Sequence, residues 1–170
     1  TSAPGTASYG GSINFQTAPL SAERQMESQL QYGALGSHRV SAEYTSGLMP
    51  SGFAISTRAS AMRSQGFRDH SGTTGASAFV SGAWVGAKDV VKFTALTGRF
   101  TDTLAYFGST TAELQTNERS NLLRPDETDR FQETVLALSH THDYGKRQVA
   151  TTLYRTAASG NYFVCVSNCA

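Results

Sequence analysis

From Arg24 to Tyr32 the chain alternates without a break: Gln25, Glu27, Gln29 and Gln31 fall on one side, and Met26, Ser28, Leu30 and Tyr32 on the other. A period of two belongs to an extended strand, whose successive side chains point to opposite faces. Six more segments keep the same period. They are His38–Thr45, Phe53–Met62, Ala76–Val85, Val90–Thr97, Arg130–His142 and Arg147–Thr156. Val40, Ala42 and Tyr44 stand opposite Arg39, Ser41 and Glu43, and Val91, Phe93 and Ala95 opposite Lys92 and Thr94. Breaks such as Gly47, Pro50 and Gly52 separate the segments. Between Gly98 and Asp129 the chain is irregular, with a helical turn at most around Leu114. The expectation is an all-β, antiparallel up-and-down meander.

The connections alternate in length. Gly33 to Ser37, Arg63 to Gly75, Gly98 to Asp129 and Ala157 onward would lie at one end, and only short turns at the other. Outer-membrane barrels have short periplasmic turns and longer outside loops, and need strands of roughly 9–11 residues. The faces do not by themselves separate a soluble barrel from a membrane barrel, because one is the other turned inside out. Volume favours the membrane: the apolar faces are rich in Ala, Thr and Ser, poor material for filling a core but tolerable against lipid. No run approaches the ~18 apolar residues of a membrane-spanning helix, which says nothing against a barrel. With a formal net charge of +1, electrostatics favours neither nucleic acid nor an acidic partner. No signal peptide or initiator Met opens the chain, and the expectation is a piece of a longer protein.

Cys165 and Cys169 lack the further ligands of a zinc site, and a short-loop disulfide is expected. His140 and His142 share one face of a strand, with no third metal ligand evident, so histidines at a membrane rim are expected and no metal. Trp84 and Tyr144 lie near the short turns, where an aromatic girdle belongs. Ser139, His140 and Asp143 are close in sequence, but Ser139 and His140 face opposite sides, so an enzyme is not expected. The competing reading is a complete small outer-membrane barrel, an adhesin or structural, porin-like protein.

Four stretches in order carry a resemblance. The first runs from Thr1 to Thr17, with Gly10, Gly11, Ile13, Asn14 and Thr17 as its characteristic residues. The second is Arg63 to Ser71, similar to an S-x-G-[FY]-R-D loop. The third is Tyr106-Phe107-Gly108 with Asn117, Arg119 and Asn121, then Asp129 to Gln132. The fourth is Thr152 to Thr156 with Gly160-Asn161-Tyr162. Together they resemble TonB-dependent outer-membrane receptors. The resemblance implies that residues 1–19 end a plug domain and residues 20–170 begin a transmembrane barrel, about seven of the family's 22 strands, as a curved open sheet in isolation. The chain departs from the family in having almost no plug and no TonB-box-like segment, and in placing Phe163 where an acidic residue often stands.

The same resemblance implies location in the bacterial outer membrane and energised uptake of a ferric siderophore or cobalamin-like ligand, driven by the TonB complex, with no cofactor. Phe67, Arg68, Tyr106, Phe107, Arg119 and Arg124 are the candidate ligand contacts, since aromatic rings and guanidinium groups suit anionic iron complexes. Against that stands a role for Arg68 in holding its own loop, paired with an acid. Gln29, Gln31, Glu43, Arg58 and Lys92 are candidates for meeting the plug or solvating the lumen.

Overall fold

The computed structural model describes residues 21–165 as one seven-stranded antiparallel sheet whose strand order equals the chain order. The strands are β1 (Gln25–Tyr32), β2 (His38–Thr45), β3 (Phe53–Ser64), β4 (Thr73–Val85), β5 (Asp89–Thr103), β6 (Thr128–Asp143) and β7 (Gln148–Phe163). One helix, α1 (Thr111–Thr116), sits in the β5–β6 connection. β1 and β7 do not pair with each other, so the described sheet is open. The expected plug terminus, residues 1–19, lies outside the described residues.

β5 and β7 run beyond their expected ends, because glycines that read as breakers lie inside strands. Gly98 faces Glu133 across the β5–β6 ladder, and Gly160 faces Phe131 across β6–β7. A Cβ at Gly160 would come within 2.8 Å of the Arg130 carbonyl and 3.1 Å of the Phe131 ring. The missing side chain leaves room for that ring, and the ladder continues to Phe163. The residues from Ala157 to Phe163, expected as loop, are therefore strand.

Register places each side chain on a definite face. One face carries Leu30, Val40, Phe53, Ile55, Val80, Trp84, Val91, Phe93, Leu136, Leu138 and Leu153 across successive strands. Most of these are well exposed. The band has two borders. Toward the loops, Arg63, Arg99 and Arg130 lie on this face, ten, ten and thirteen residues along their strands from the turn-end residues Phe53, Asp89 and Asp143. Ten to thirteen residues at about 3.3 Å each span roughly 33–43 Å along the strand; strands tilted near 45°, as in outer-membrane barrels, rise roughly 23–30 Å over that length, beside an apolar band of ~25 Å. Arg155, opposite Leu136, is the one cation inside the band among the described residues.

The other face is wetter. It carries Gln29, Gln31, Glu43, Arg58, Lys92 and Glu133, with Leu96, Phe100 and Phe131 gathered toward the loops. The buried strand residues Ser41, Thr45, Ala54, Ser81 and Ala83 all lie on this side. Burial in a single open sheet comes from neighbouring side chains leaning together, so this pattern marks the polar face as the more crowded one.

Candidate functional site

The long connections at one end fold onto each other. In the β3–β4 loop, Gly66 adopts φ +74°, and a Cβ there would collide with the Ser71 carbonyl oxygen. Only glycine fits that closure. It turns Arg68, Asp69 and His70 toward the β5–β6 loop. The Arg68 guanidinium donates to the carbonyls of Ala105, at 3.1 Å, and Phe107. Its partners are carbonyls of the neighbouring loop, which corrects the expected pairing with an acid.

Asp69 is the hub. Its backbone N–H donates to the Arg119 carbonyl at 2.8 Å, Asn117 Nδ2 donates to its carboxylate at 2.7 Å, and Arg119 Nε lies 3.6 Å from that carboxylate. Asn121 Nδ2 donates to the carbonyls of Asp69 and Leu104 at 2.9 and 3.0 Å and lies 3.3 Å from His70 Nδ1. Two loops far apart in sequence thus become one cap.

α1 is held by a capping box. The Glu113 N–H donates to the Thr110 hydroxyl, while the Thr110 N–H and hydroxyl donate to the Glu113 carboxylate at 2.7 and 2.9 Å. Those donors, the backbone one foremost, hold the Glu113 carboxyl below the usual range.

Glu127 anchors the base. It is 2% exposed; its carboxylate accepts from the N–H groups of Arg124 at 2.6 Å and Cys165 at 2.7 Å. Cys165 is disulfide-bonded, and the expected partner Cys169 lies outside the described residues.

Of the six candidate ligand contacts, the cap divides them into two sets. Phe67, Tyr106 and Phe107 are exposed, the last two edge-to-face with centroids 4.8 Å apart. Arg68 and Arg119 are engaged between loops, and Arg124 bonds Asp126 within its own loop at 3.1 Å. The lumen candidates Gln29, Gln31, Glu43, Arg58 and Lys92 share the polar face, where Gln29 donates to Glu27 at 2.6 Å and Glu43 meets Arg58 at 3.9 Å.

At the opposite end, the histidine pair gains a third group that the sequence did not point out. Asp89 Oδ1 lies 2.8 Å from His140 Nε2 and 2.6 Å from His142 Nδ1. Tyr144 stacks edge-on against His142 at 4.3 Å. Ser139 bonds Thr152 across β6–β7, on the other face from His140.

Nothing in the sequence singles out Asp69, Glu127 or Asp89 as a structural centre. A carboxylate in a loop is ordinary, and its partners here lie up to 53 residues away. Comparison with protein-family models, with curated proteins and with solved structures found no match. Among the described residues no helix is long and apolar enough to cross a membrane, which leaves a β-barrel untouched.

Proposed function

We propose that this chain is the end of the plug and the first seven barrel strands of a TonB-dependent receptor. The receptor would sit in the bacterial outer membrane and take up a ferric siderophore or similar scarce nutrient. The observation that carries this reading is the apolar band, bounded on β3, β5 and β6 by arginines ten to thirteen residues from the turn end. Its height suits a bilayer, and exposed Leu, Ile, Val and Phe side chains in such a band are stable against hydrocarbon.

Two further features support it. The short turns and the interlocked long loops are segregated to opposite ends. Among the described residues nothing pairs with the outer backbone edges of β1 and β7, and in lipid such edges demand further strands. This weighs against a complete small barrel made of these strands.

In this reading the polar face lines the lumen, and Gln29, Gln31, Glu43, Arg58 and Lys92 meet the plug or lumen water. Phe67, Tyr106 and Phe107 offer rings to the ligand, while Arg68 and Arg119 shape the cap that presents them.

The test is uptake of radiolabelled ferric siderophores, with cobalamin in parallel, by cells carrying or lacking the coding sequence that contains this chain. Saturable uptake that needs the gene and is abolished by a protonophore is expected. Uptake insensitive to the protonophore would instead favour a passive pore, and absence of the product from the outer-membrane fraction would refute both.

A further inference from the structure

We propose that Asp89, His140 and His142 form a binding site for a first-row divalent transition-metal cation at the short-turn end of the sheet. Three donor atoms from two strands, Asp89 Oδ1, His140 Nε2 and His142 Nδ1, all lie within 4.8 Å of one another.

Local structure explains the convergence. The period of two puts His140 and His142 on one face of β6. Asp89 opens β5 directly opposite His142, and Val91 stands opposite His140. The carboxylate therefore reaches both rings from one position. The Gly86 N–H donates to the Asp89 carbonyl at 2.8 Å, which fixes the turn that delivers it. Tyr144 restrains the plane of the His142 ring. No lysine or arginine pairs with the Asp89 carboxylate among the described residues, so only the histidines compete for it.

A tetrahedral ion with ~2.0–2.1 Å bonds to nitrogen and oxygen needs its donors roughly 3.3 Å apart. The carboxylate–imidazole distances of 2.8 and 2.6 Å are hydrogen-bond distances. A metal replacing the shared protons requires them to open by roughly 0.5 and 0.7 Å, within reach of side-chain rotation. Two imidazoles and one carboxylate select zinc, nickel, cobalt or copper over magnesium and calcium, which prefer all-oxygen sites. The remaining positions would hold water. The three side chains are partly exposed, so an ion can enter from solvent. This inference goes beyond the receptor reading and does not rest on it.

The test uses the full chain folded in a non-ionic detergent, with its β-structure checked by circular dichroism. Co²⁺ is titrated by visible absorption, and Zn²⁺ by competition. One equivalent of Co²⁺ is expected to bind with a nitrogen–oxygen d–d spectrum and to be displaced by Zn²⁺. Affinity should fall at least about tenfold in each of His140→Gln, His142→Gln and Asp89→Asn. The paired variant His38→Gln/His70→Gln, which changes the chain's other two histidines, should bind as the parent does. The near-isosteric changes preserve size; should one fail to fold, the remaining two carry the comparison. Equal affinity in the parent and the His140→Gln/His142→Gln variant would overturn the proposal, leaving Asp89 a hydrogen-bond acceptor for two imidazoles. So would loss of binding in the His38→Gln/His70→Gln variant.

Discussion

The Asn121 amide reaches the Asp69 carbonyl at 2.9 Å across 52 residues of sequence, and the same nitrogen donates to Leu104 at 3.0 Å. One side chain thereby stitches the β3–β4 loop to both ends of the β5–β6 connection. The two loops should move as one body.

Asn121→Ala tests that unity. It leaves part-buried carbonyls without a donor, at a cost of about 1–3 kcal/mol. Limited proteolysis between residues 104 and 127 should accelerate, and exchange of the Asp69 amide should accelerate with it. Unchanged exchange at Asp69 would mean that the loops are held by other bonds.

Arg68 makes a sharper distinction. Its guanidinium Nη1 donates to two carbonyls of the other loop, and a lysine ammonium sits one bond closer to the backbone and falls short of both. Arg68→Lys should therefore loosen the cap nearly as much as Arg68→Ala, read by the same proteolysis. Full rescue by lysine would show that charge alone matters there.

The capping box predicts a pH effect. Thr110 holds the Glu113 carboxyl below its ordinary range, so the folded helix favours the ionised form. The stabilisation is present above the ordinary glutamate range and is lost as pH falls through the lowered value. Protection of the Leu114 amide, with the intrinsic exchange rate divided out, should fall toward acid, and Thr110→Ala should lower it about fivefold at neutral pH by removing the N-cap. A Leu114 amide indifferent to both would contradict this.

Arg155 stands among apolar neighbours, opposite Leu136. Against lipid a midplane arginine costs about 2–4 kcal/mol. Arg155→Leu should raise the urea midpoint in lipid vesicles, and a lowered midpoint would place this position against water.

How much of this was legible differs by level. Alternation as clean as that from Gln25 to Tyr32 reports a strand with two unlike faces, and β2 has the bounds expected from sequence, His38–Thr45. The far halves of β5 and β7 were hidden because a strand glycine and a turn glycine look alike until Phe131 is seen lying over Gly160. The cap and the Asp89 cluster depend on register between β5 and β6. The connection between them is too long for local turn chemistry to set that register, so no short-range signal names the partners.

The membrane reading requires the apolar face to meet hydrocarbon, and Trp84, the chain's single tryptophan, lies on that face near the turn end. Fluorescence quenching by brominated lipids measures this directly, in the complete protein folded in vesicles with any tryptophan outside this chain replaced by phenylalanine. Trp84 should be quenched best by bromines placed near the headgroups. With Trp84→Phe in place, Ala95→Trp should be quenched best by bromines deep in the acyl chains, and Thr94→Trp, one residue away on the polar face, hardly at all. Equal quenching at positions 94 and 95, or stronger quenching at 94, would contradict the account.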